Sequence, residues 1–501
     1  MTGKVYLIGA GPGDPGLITL RGAQLLACSD VVLYDGLSNA ALLAHAPTAQ
    51  HISVGKHGRS RIWQQSEIIE EMLSHARLGR TVARLKGGDP AVFARTAEEV
   101  DALHEAGIPF EIVPGITAAL AAGSYAGIPI THRKLASAVA LVTGHEEPGK
   151  QQSALDWDAL ARFPGTLVVY MGVTTAETWT RLLIQAGKDP ATPTALVRRC
   201  SLPDQQSIHC RLDEVAGHLT PASRFRPPVV AIIGPVTQLA DAMDWTRRRP
   251  LSGRTVLVTR PADQAEALAG PLRELGAHVL VQPAITISPP ADWTAVDTAI
   301  ESLSQNKLLI FCSVNGVRFF LDRLLNQHGD TRLLAGNQIA VVGEKTADAL
   351  AEYSLKPDIV PSDFRSKSLA DQIQPHVNGQ RVTIVRASRG SDELAESLIA
   401  GGADVRQVVA YSHRDVDELD PEILSIARDG QIDWITVTSS ATARNLHRLL
   451  GPAIKHSKIA SLSPVTSATL TQLGIEVSAE ANPFTIESLI GCIVDHEHAI
   501  T

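Results

Sequence analysis

Short runs of Val, Ile and Leu recur along this chain, each followed by a stretch long enough for a helix. In the first half they read VYLIG, DVVLYD, TVARLKGG, ALVTGH, TLVVYMG and VVAIIG. Runs that stay apolar instead of alternating fit strands covered on both faces, and the intervening helices supply the cover. The pattern predicts an α/β fold built on largely buried sheets. At 501 residues the chain is too long for one core. Its clearest seam is DWTRRRPLSGRTV, where Arg247, Arg248, Arg249, Pro250 and Gly253 separate VVAIIG from a fresh strand, TVLVT. Charge followed by Pro and Gly is poor core material, so the seam divides the chain into residues 1–246 and 251–501.

The second half repeats itself weakly. RTVLVTRP from Arg254 resembles RVTIVRAS from Arg381, 127 residues on. IFCSVNGVRFFLDRLL matches TVTSSATARNLHRLL with Ser313 against Ser439, 126 apart, and IAVVGEKTADAL matches IASLSPVTSATL with Thr346 against Thr466, 120 apart. Similar offsets in one order predict two related α/β lobes, with a ligand cleft between them.

A formal net charge of −8 argues against a nucleic-acid partner, which needs a basic face to displace counterions. A local cationic cleft could still hold a small anion. Cys28, Cys200, Cys210, Cys312 and Cys492 are scattered and form no C-x-x-C pair, which fits reduced thiols and predicts neither disulfides nor a metal site. MTGKVYLIGAG runs into a strand without an export signal. No apolar run approaches the ~20 residues of a bilayer span. A cytoplasmic protein without a membrane partner is expected.

GAGPGDPG, Gly9 to Gly16, follows the first strand and precedes a helix expected to start near Leu17. Gly11, Gly13 and Gly16 satisfy G-x-G-x-x-G, which keeps an NAD(P)-dependent oxidoreductase open as an alternative. Pro12 and Pro15 argue against it, because they remove two backbone N–H groups from a turn that should cradle a pyrophosphate. Further along, LKGGDPAVFAR offers Asp89 to a ribose or an amino group. VPGITAA offers Thr117 and Ala118, and YMGV offers Met171 as apolar cover for an adenine ring or a thioether.

With GAGPGDPGLITLRGAQLLACSDVVLYDGLSN, VGKHG, GGDPAVFAR, VPGITAALAA, GIPITHR, VTGH and PPVVAIIG in this order, residues 3 to 245 resemble the uroporphyrinogen-III C-methyltransferases. The resemblance implies two α/β domains forming a trough for S-adenosylmethionine, and methylation of two ring carbons of uroporphyrinogen III to give precorrin-2. Whether that product feeds sirohaem or cobalamin stays open. Cofactor contacts would be Pro12, Gly87, Gly88, Asp89, Val92, Thr117, Ala118 and Met171, with Cys200 where the family often has a glycine. Asp35 would be the proton acceptor and Lys56 the proton donor. Arg59, Arg61 and Arg133, in two short basic runs, would meet the eight carboxylates of the substrate. The chain departs from the family pattern at GGDPAVFARTAEE, at HGRSRIWQQSE and around Cys200, which bears on the shape of the trough. A homodimer through this half is also implied.

From Leu251 onward no phosphate loop, metal cluster or nucleophile elbow is legible, and Cys312 reads as a core residue. VLVTRPADQAEALAGPLRELGAHVLVQPAITI, IFCSVNGVRFF, IAVVGEKTADAL, VTIVRASRGSDELAESLIAGGADVRQVVAYSHR and TVTSSATARNL resemble a uroporphyrinogen-III synthase across residues 253 to 490. That family closes hydroxymethylbilane into uroporphyrinogen III with inversion of the last pyrrole and loss of water. The resemblance implies a chain crossing twice between lobes of about 251–286 plus 413–501 and 287–412. It places Thr346, Ser439 and Thr466 at the cleft, with Tyr411 as candidate acid. Arg260, Arg386 and Arg389 stand at strand ends, where they could bind substrate carboxylates. A two-lobed tetrapyrrole-binding module without turnover is the competing reading of this half.

Overall fold

The structure is a computed structural model that describes residues 3–55, 63–145, 154–223, 225–361 and 366–499. The chain separates into two compact units, residues 1–253 with 275–278, and residues 254–274 with 279–501. Both are α/β.

The first unit holds two five-stranded sheets. In the first, β1 (Val5–Gly9), β2 (Val31–Tyr34), β3 (Gln50–Ser53), β4 (Val82–Lys86) and β5 (Phe110–Val113) lie in the order β3-β2-β4-β1-β5. All its pairings are parallel. β4 is buried along its whole length, as expected of a central strand between helical layers. In the second sheet, β6 (Val139–Thr143), β7 (Thr166–Tyr170), β8 (Pro193–Arg198), β9 (Gln206–Arg211) and β10 (Val229–Ile233) take the order β6-β7-β10-β8-β9, with β10 antiparallel to both neighbours. β3, β5 and β9 escape a search for apolar runs because they are edge strands with half-exposed faces.

The second unit also holds two five-stranded sheets. Its strands are β11 (Thr255–Val258), β12 (His278–Val281), β13 (Ile285–Ser288), β14 (Leu308–Phe311), β15 (Gln338–Val341), β16 (Arg381–Ala387), β17 (Asp404–Asp415), β18 (Trp434–Val437), β19 (Lys458–Ser461) and β20 (Ala479–Glu480). The orders are β12-β11-β18-β19-β20 and β13-β17-β16-β14-β15. The internal repeat maps β11, β14 and β15 onto β16, β18 and β19. Yet β11 sits with β18 and β19, and β16 sits with β14 and β15. Each lobe therefore takes its first repeat strand from one copy and the next two from the other. The chain crosses at an antiparallel ribbon in which Ile285 pairs with Asp415 and Ser288 with Ser412. Residues 286 and 413, where the resemblance put the crossings, fall inside this ribbon.

One local expectation fails. The helix after the glycine loop begins at Leu20, not near Leu17. Asp14 caps a separate 3-10 turn over Pro15–Leu17, and Thr19 then accepts from Gly22 N at 3.1 Å to start the α-helix.

Candidate functional site

The glycine loop meets the β4 turn through backbone. Gly11 N donates to Gly88 O at 3.1 Å and Gly88 N to Gly11 O at 2.7 Å. Gly11 has φ +75° and Gly88 φ +72°, a region costly for any other residue. A Cβ on Gly9 would come within 2.5 Å of the Gly115 Cα, so three glycine turns close on one another. Several N–H groups of the loop are already used. Asp14 N donates to Ser201 Oγ at 3.0 Å, Gly16 N to Asp14 Oδ1 at 2.8 Å, and Leu17 N to the Asp14 carbonyl at 3.0 Å. With Pro12 and Pro15 bringing none, this turn is a poor pyrophosphate cradle, which argues against a nicotinamide cofactor.

Asp89 and Asp35 support the same region. Asp89 accepts from Ala91 N at 2.7 Å and from Gly115 N at 2.9 Å, tying the β4 turn to the VPG turn. Val92 closes the same turn through its N–H to the Asp89 carbonyl at 3.1 Å. Asp35 Oδ1 accepts from Leu37 N and Ser38 Oγ, both at 3.1 Å, and Oδ2 accepts from Gly87 N at 3.3 Å. Behind it lies a buried ion network. Glu99, fully buried, meets Lys86 Nζ at 2.5 Å and Arg84 Nε at 3.2 Å, while Arg84 Nη1 stands 4.0 Å from Asp35 Oδ2. Nothing in the local pattern points to this network. Glu99 lies in the run AEE, which reads as helix surface until β4 places two cations against it.

Thr117 and Ala118 open the helix Ala118–Tyr125. Its cap is another missed residue: Tyr170 OH lies 2.7 Å from Thr117 Oγ1 and accepts from Ala119 N at 2.7 Å. The clue available in the sequence was an aromatic with a polar tip at the end of an apolar strand. Burial raises the Tyr170 phenol above its ordinary range. Met171, next in the chain, is half exposed at φ +54°. Phe93, Arg95, Arg199 and Ser201 share this uncommon conformation, and such strain concentrates at functional sites. Cys200 is buried with Sγ 3.8 Å from the Ala118 carbonyl, and desolvation pushes its thiol up to about 12. Arg133 is exposed in the turn between His132 and Ala136. Lys56, Arg59 and Arg61 lie outside the described residues.

These residues fit a donor that brings no phosphate. A Cβ on Gly88 would meet nothing nearer than the Thr117 Cα at 3.9 Å, so the missing side chain leaves space between the β4 turn and the head of the helix.

In the second unit, a cavity of about 230 Å³ lies in the β13–β17 lobe, lined in part by Cys312, Ser313, Arg386, Arg389, Tyr411 and His413. Tyr411 is buried, stacks on Phe319 at 5.8 Å between centroids, and has its hydroxyl 2.9 Å from Ser313 Oγ. Desolvation raises the Tyr411 phenol and lowers the pKa of the neighbouring His413 imidazole. Arg386 is held by Asp392 and Gln407, and Arg389 by Asp415 at 2.7 Å. Arg260, Ser439 and Thr466 belong to the other lobe. Arg260 donates to Gln264 at 3.1 Å, and burial lowers the pKa of its guanidinium. Ser439 caps the helix Ser440–Leu450 as Ser313 caps Val314–His328. Thr346 and Thr466 are only 6% and 2% exposed, and Thr466 Oγ1 lies 3.1 Å from Ser463 Oγ. Among the described residues no cluster of His, Cys, Asp or Glu is placed to hold a metal, and no helix is long and apolar enough to cross a membrane.

Comparison with known proteins finds a family for each half of the chain. Residues 4–216 match the family of tetrapyrrole (corrin/porphyrin) methylases, and residues 266–491 match that of uroporphyrinogen-III synthase HemD. A porphyrin biosynthesis protein HemD from Ruminiclostridium josui is 34% identical over 492 residues, 97% of this chain and 95% of its own. The chain belongs to the tetrapyrrole methylases in its first half and to the uroporphyrinogen-III synthases in its second. An S-adenosyl-L-methionine-dependent uroporphyrinogen III methyltransferase from Methanosarcina barkeri is 43% identical over 246 residues, covering 49% of this chain and 96% of that one. A solved uroporphyrin-III C-methyl transferase from Thermus thermophilus, complexed with S-adenyl homocysteine, is 44% identical over 47% of this chain and all of its own, with a TM-score of 0.42. The fused methylase and synthase make this a bifunctional enzyme of tetrapyrrole biosynthesis.

Proposed function

We propose that the synthase half converts hydroxymethylbilane to uroporphyrinogen III and that the methylase half adds two methyl groups to that product, giving precorrin-2. The observation that carries this reading is the pairing of the two families in one chain, because the product of one is the substrate of the other. S-adenosylmethionine, when bound, supplies an electrophilic methyl group. Pro12, Gly87, Gly88, Asp89, Val92, Thr117, Ala118, Met171 and Cys200 would hold it, and the donor-poor loop supports a ligand without phosphate.

The chain's own work at this site is alignment and proton handling. A pyrrole carbon held in line with the methyl needs little further activation. Asp35, whose Oδ2 accepts from Gly87 N at 3.3 Å, would accept protons released as the macrocycle rearranges. Lys56 would return one, and Arg59, Arg61 and Arg133 would meet substrate carboxylates. In the synthase half, Tyr411 donates a proton as the bilane hydroxyl leaves. The lobes hold one conformation against spontaneous closure to the symmetrical isomer. Arg260, Thr346, Ser439 and Thr466 would contribute contacts to the bilane. A homodimer through residues 1–245 and a cytoplasmic setting belong to this reading, and a monomeric mass in solution scattering would overturn the dimer.

The test supplies full-length protein with fresh hydroxymethylbilane and S-adenosylmethionine, then oxidises and weighs the products. A type III macrocycle carrying two added methyl groups is expected. Type I macrocycle alone would reduce the second half to a binding module; repeating with uroporphyrinogen III then tests the methylase separately.

A further inference from the structure

The segment that leads out of the methylase half is packed onto the loop-and-helix apparatus of the candidate donor site. Trp245 Nε1 donates to the Ser124 carbonyl at 2.9 Å and Thr246 Oγ1 to the Tyr125 carbonyl at 3.0 Å. These are the last carbonyls of the helix that Thr117 and Ala118 open, and a helix leaves such groups to be satisfied from outside. The Tyr125 ring lies 5.4 Å from that of Trp245, and the Arg249 guanidinium lies over the Trp245 ring at 4.2 Å. Contact is close enough that a Cβ on Gly127 would stand 2.3 Å from Asp244 N.

Tyr125 carries this support into the glycine loop. Its hydroxyl donates to Asp14 Oδ2 at 2.7 Å, across 111 residues of chain. Asp14 is the residue between Gly13 and Pro15, and its other carboxylate oxygen caps the 3-10 turn that follows. A short chain of contacts thus runs from Trp245 through Tyr125 to Asp14, holding both the loop and the far end of the helix. Trp245 stays 42% exposed, so burial of its ring alone does not account for the arrangement.

We propose that Trp245 and Tyr125 are positioning residues of the methyl-donor site, setting the affinity for S-adenosylmethionine from the segment that joins the two halves. The proposal rests on the methylase reading given above. Neither side chain touches reacting atoms. Each acts by fixing the Gly11–Leu17 loop against Gly88 and Thr117, a geometry on which donor alignment depends.

The experiment uses the full chain and its Trp245→Ala, Trp245→Phe and Tyr125→Phe variants. It measures S-adenosylmethionine binding by calorimetry, methylation with uroporphyrinogen III supplied, and ring closure of hydroxymethylbilane as an internal control. Trp245→Ala and Tyr125→Phe should each weaken donor binding about fivefold, the equivalent of one hydrogen bond. The KM for uroporphyrinogen III and the ring-closure rate should not move, and Trp245→Phe should recover part of the affinity through its ring. A purely structural role would lower the fraction of active protein without changing donor affinity. Wild-type affinity in both Trp245→Ala and Tyr125→Phe overturns the proposal. If Trp245→Ala fails to fold, Tyr125→Phe, which removes one oxygen atom, decides it. An unsubstituted chain that binds no S-adenosylmethionine fails differently, because it overturns the methylase reading and this proposal with it.

Discussion

The Tyr411 hydroxyl lies 2.9 Å from the Ser313 hydroxyl, and Ser313 is at the same time the cap of the helix Val314–His328, accepting from Gly316 N at 3.0 Å. A buried phenol is thereby held at a helix N-terminus inside a cavity. Tyr411→Phe should lower ring closure about a hundredfold, as loss of a general acid does, while methylation of supplied uroporphyrinogen III stays unchanged. Burial raises the Tyr411 phenol above its ordinary value of 10.0, so it remains protonated below that pH. Its contribution is then present at neutral pH and is lost only as pH climbs through the raised value. A rate profile of ring closure that falls between pH 7 and 9 because of this residue, and flattens in Tyr411→Phe, would contradict the assignment.

Glu99 stands between Arg84 and Lys86 with none of its surface exposed. Removing one partner from a buried ion pair costs about 3–5 kcal/mol, so Glu99→Gln should strongly destabilise the methylase half. Denaturant unfolding of the full chain measures it, with the methylase transition recognised as the one S-adenosylmethionine shifts. Burial lowers the Lys86 pKa from 10.5 against the opposing pull of Glu99. A cation depressed in the folded state makes stability rise with pH between the folded and unfolded values. Glu99→Gln removes the opposing anion and should bring that rise to lower pH. An unchanged profile would mean that Lys86 has another partner.

Two glycines should fail differently. Gly88→Ala forces φ +72° on a residue that disfavours it, at about 1–2 kcal/mol, and fills the space beside Thr117. Donor affinity should drop by more than the stability does, as calorimetry and thermal melting can compare. Gly9→Ala would put a Cβ 2.5 Å from the Gly115 Cα, where backbone has to move, so folding itself should suffer.

Cysteine labelling offers a check that needs no substrate. Cys200 is buried with its thiol pushed up to about 12, whereas Cys28 is exposed. The thiolate is the reactive form. Iodoacetamide at pH 8, followed by peptide mass mapping, should modify Cys28 and spare Cys200. Rapid labelling of Cys200 would mean that the contact with the Ala118 carbonyl opens in solution.

The sequence by itself determined the α/β class, because apolar runs of strand length report buried sheets wherever they fall. It also determined the chemistry of the glycine loop: Pro12 and Pro15 lack an N–H in any fold. Ser313 and Ser439 were legible as matched positions, and both prove to be helix caps, since a cap acts within three residues of chain. Only the tertiary structure decided which repeat strands share a sheet, for β11 and β18 pair across 178 residues and local pattern carries no such information. It decided likewise that Glu99 is a core residue and that Asp14 answers to Tyr125. A charge or a hydroxyl looks the same in sequence whether it faces water or a partner, and its energy depends on which of the two the fold supplies.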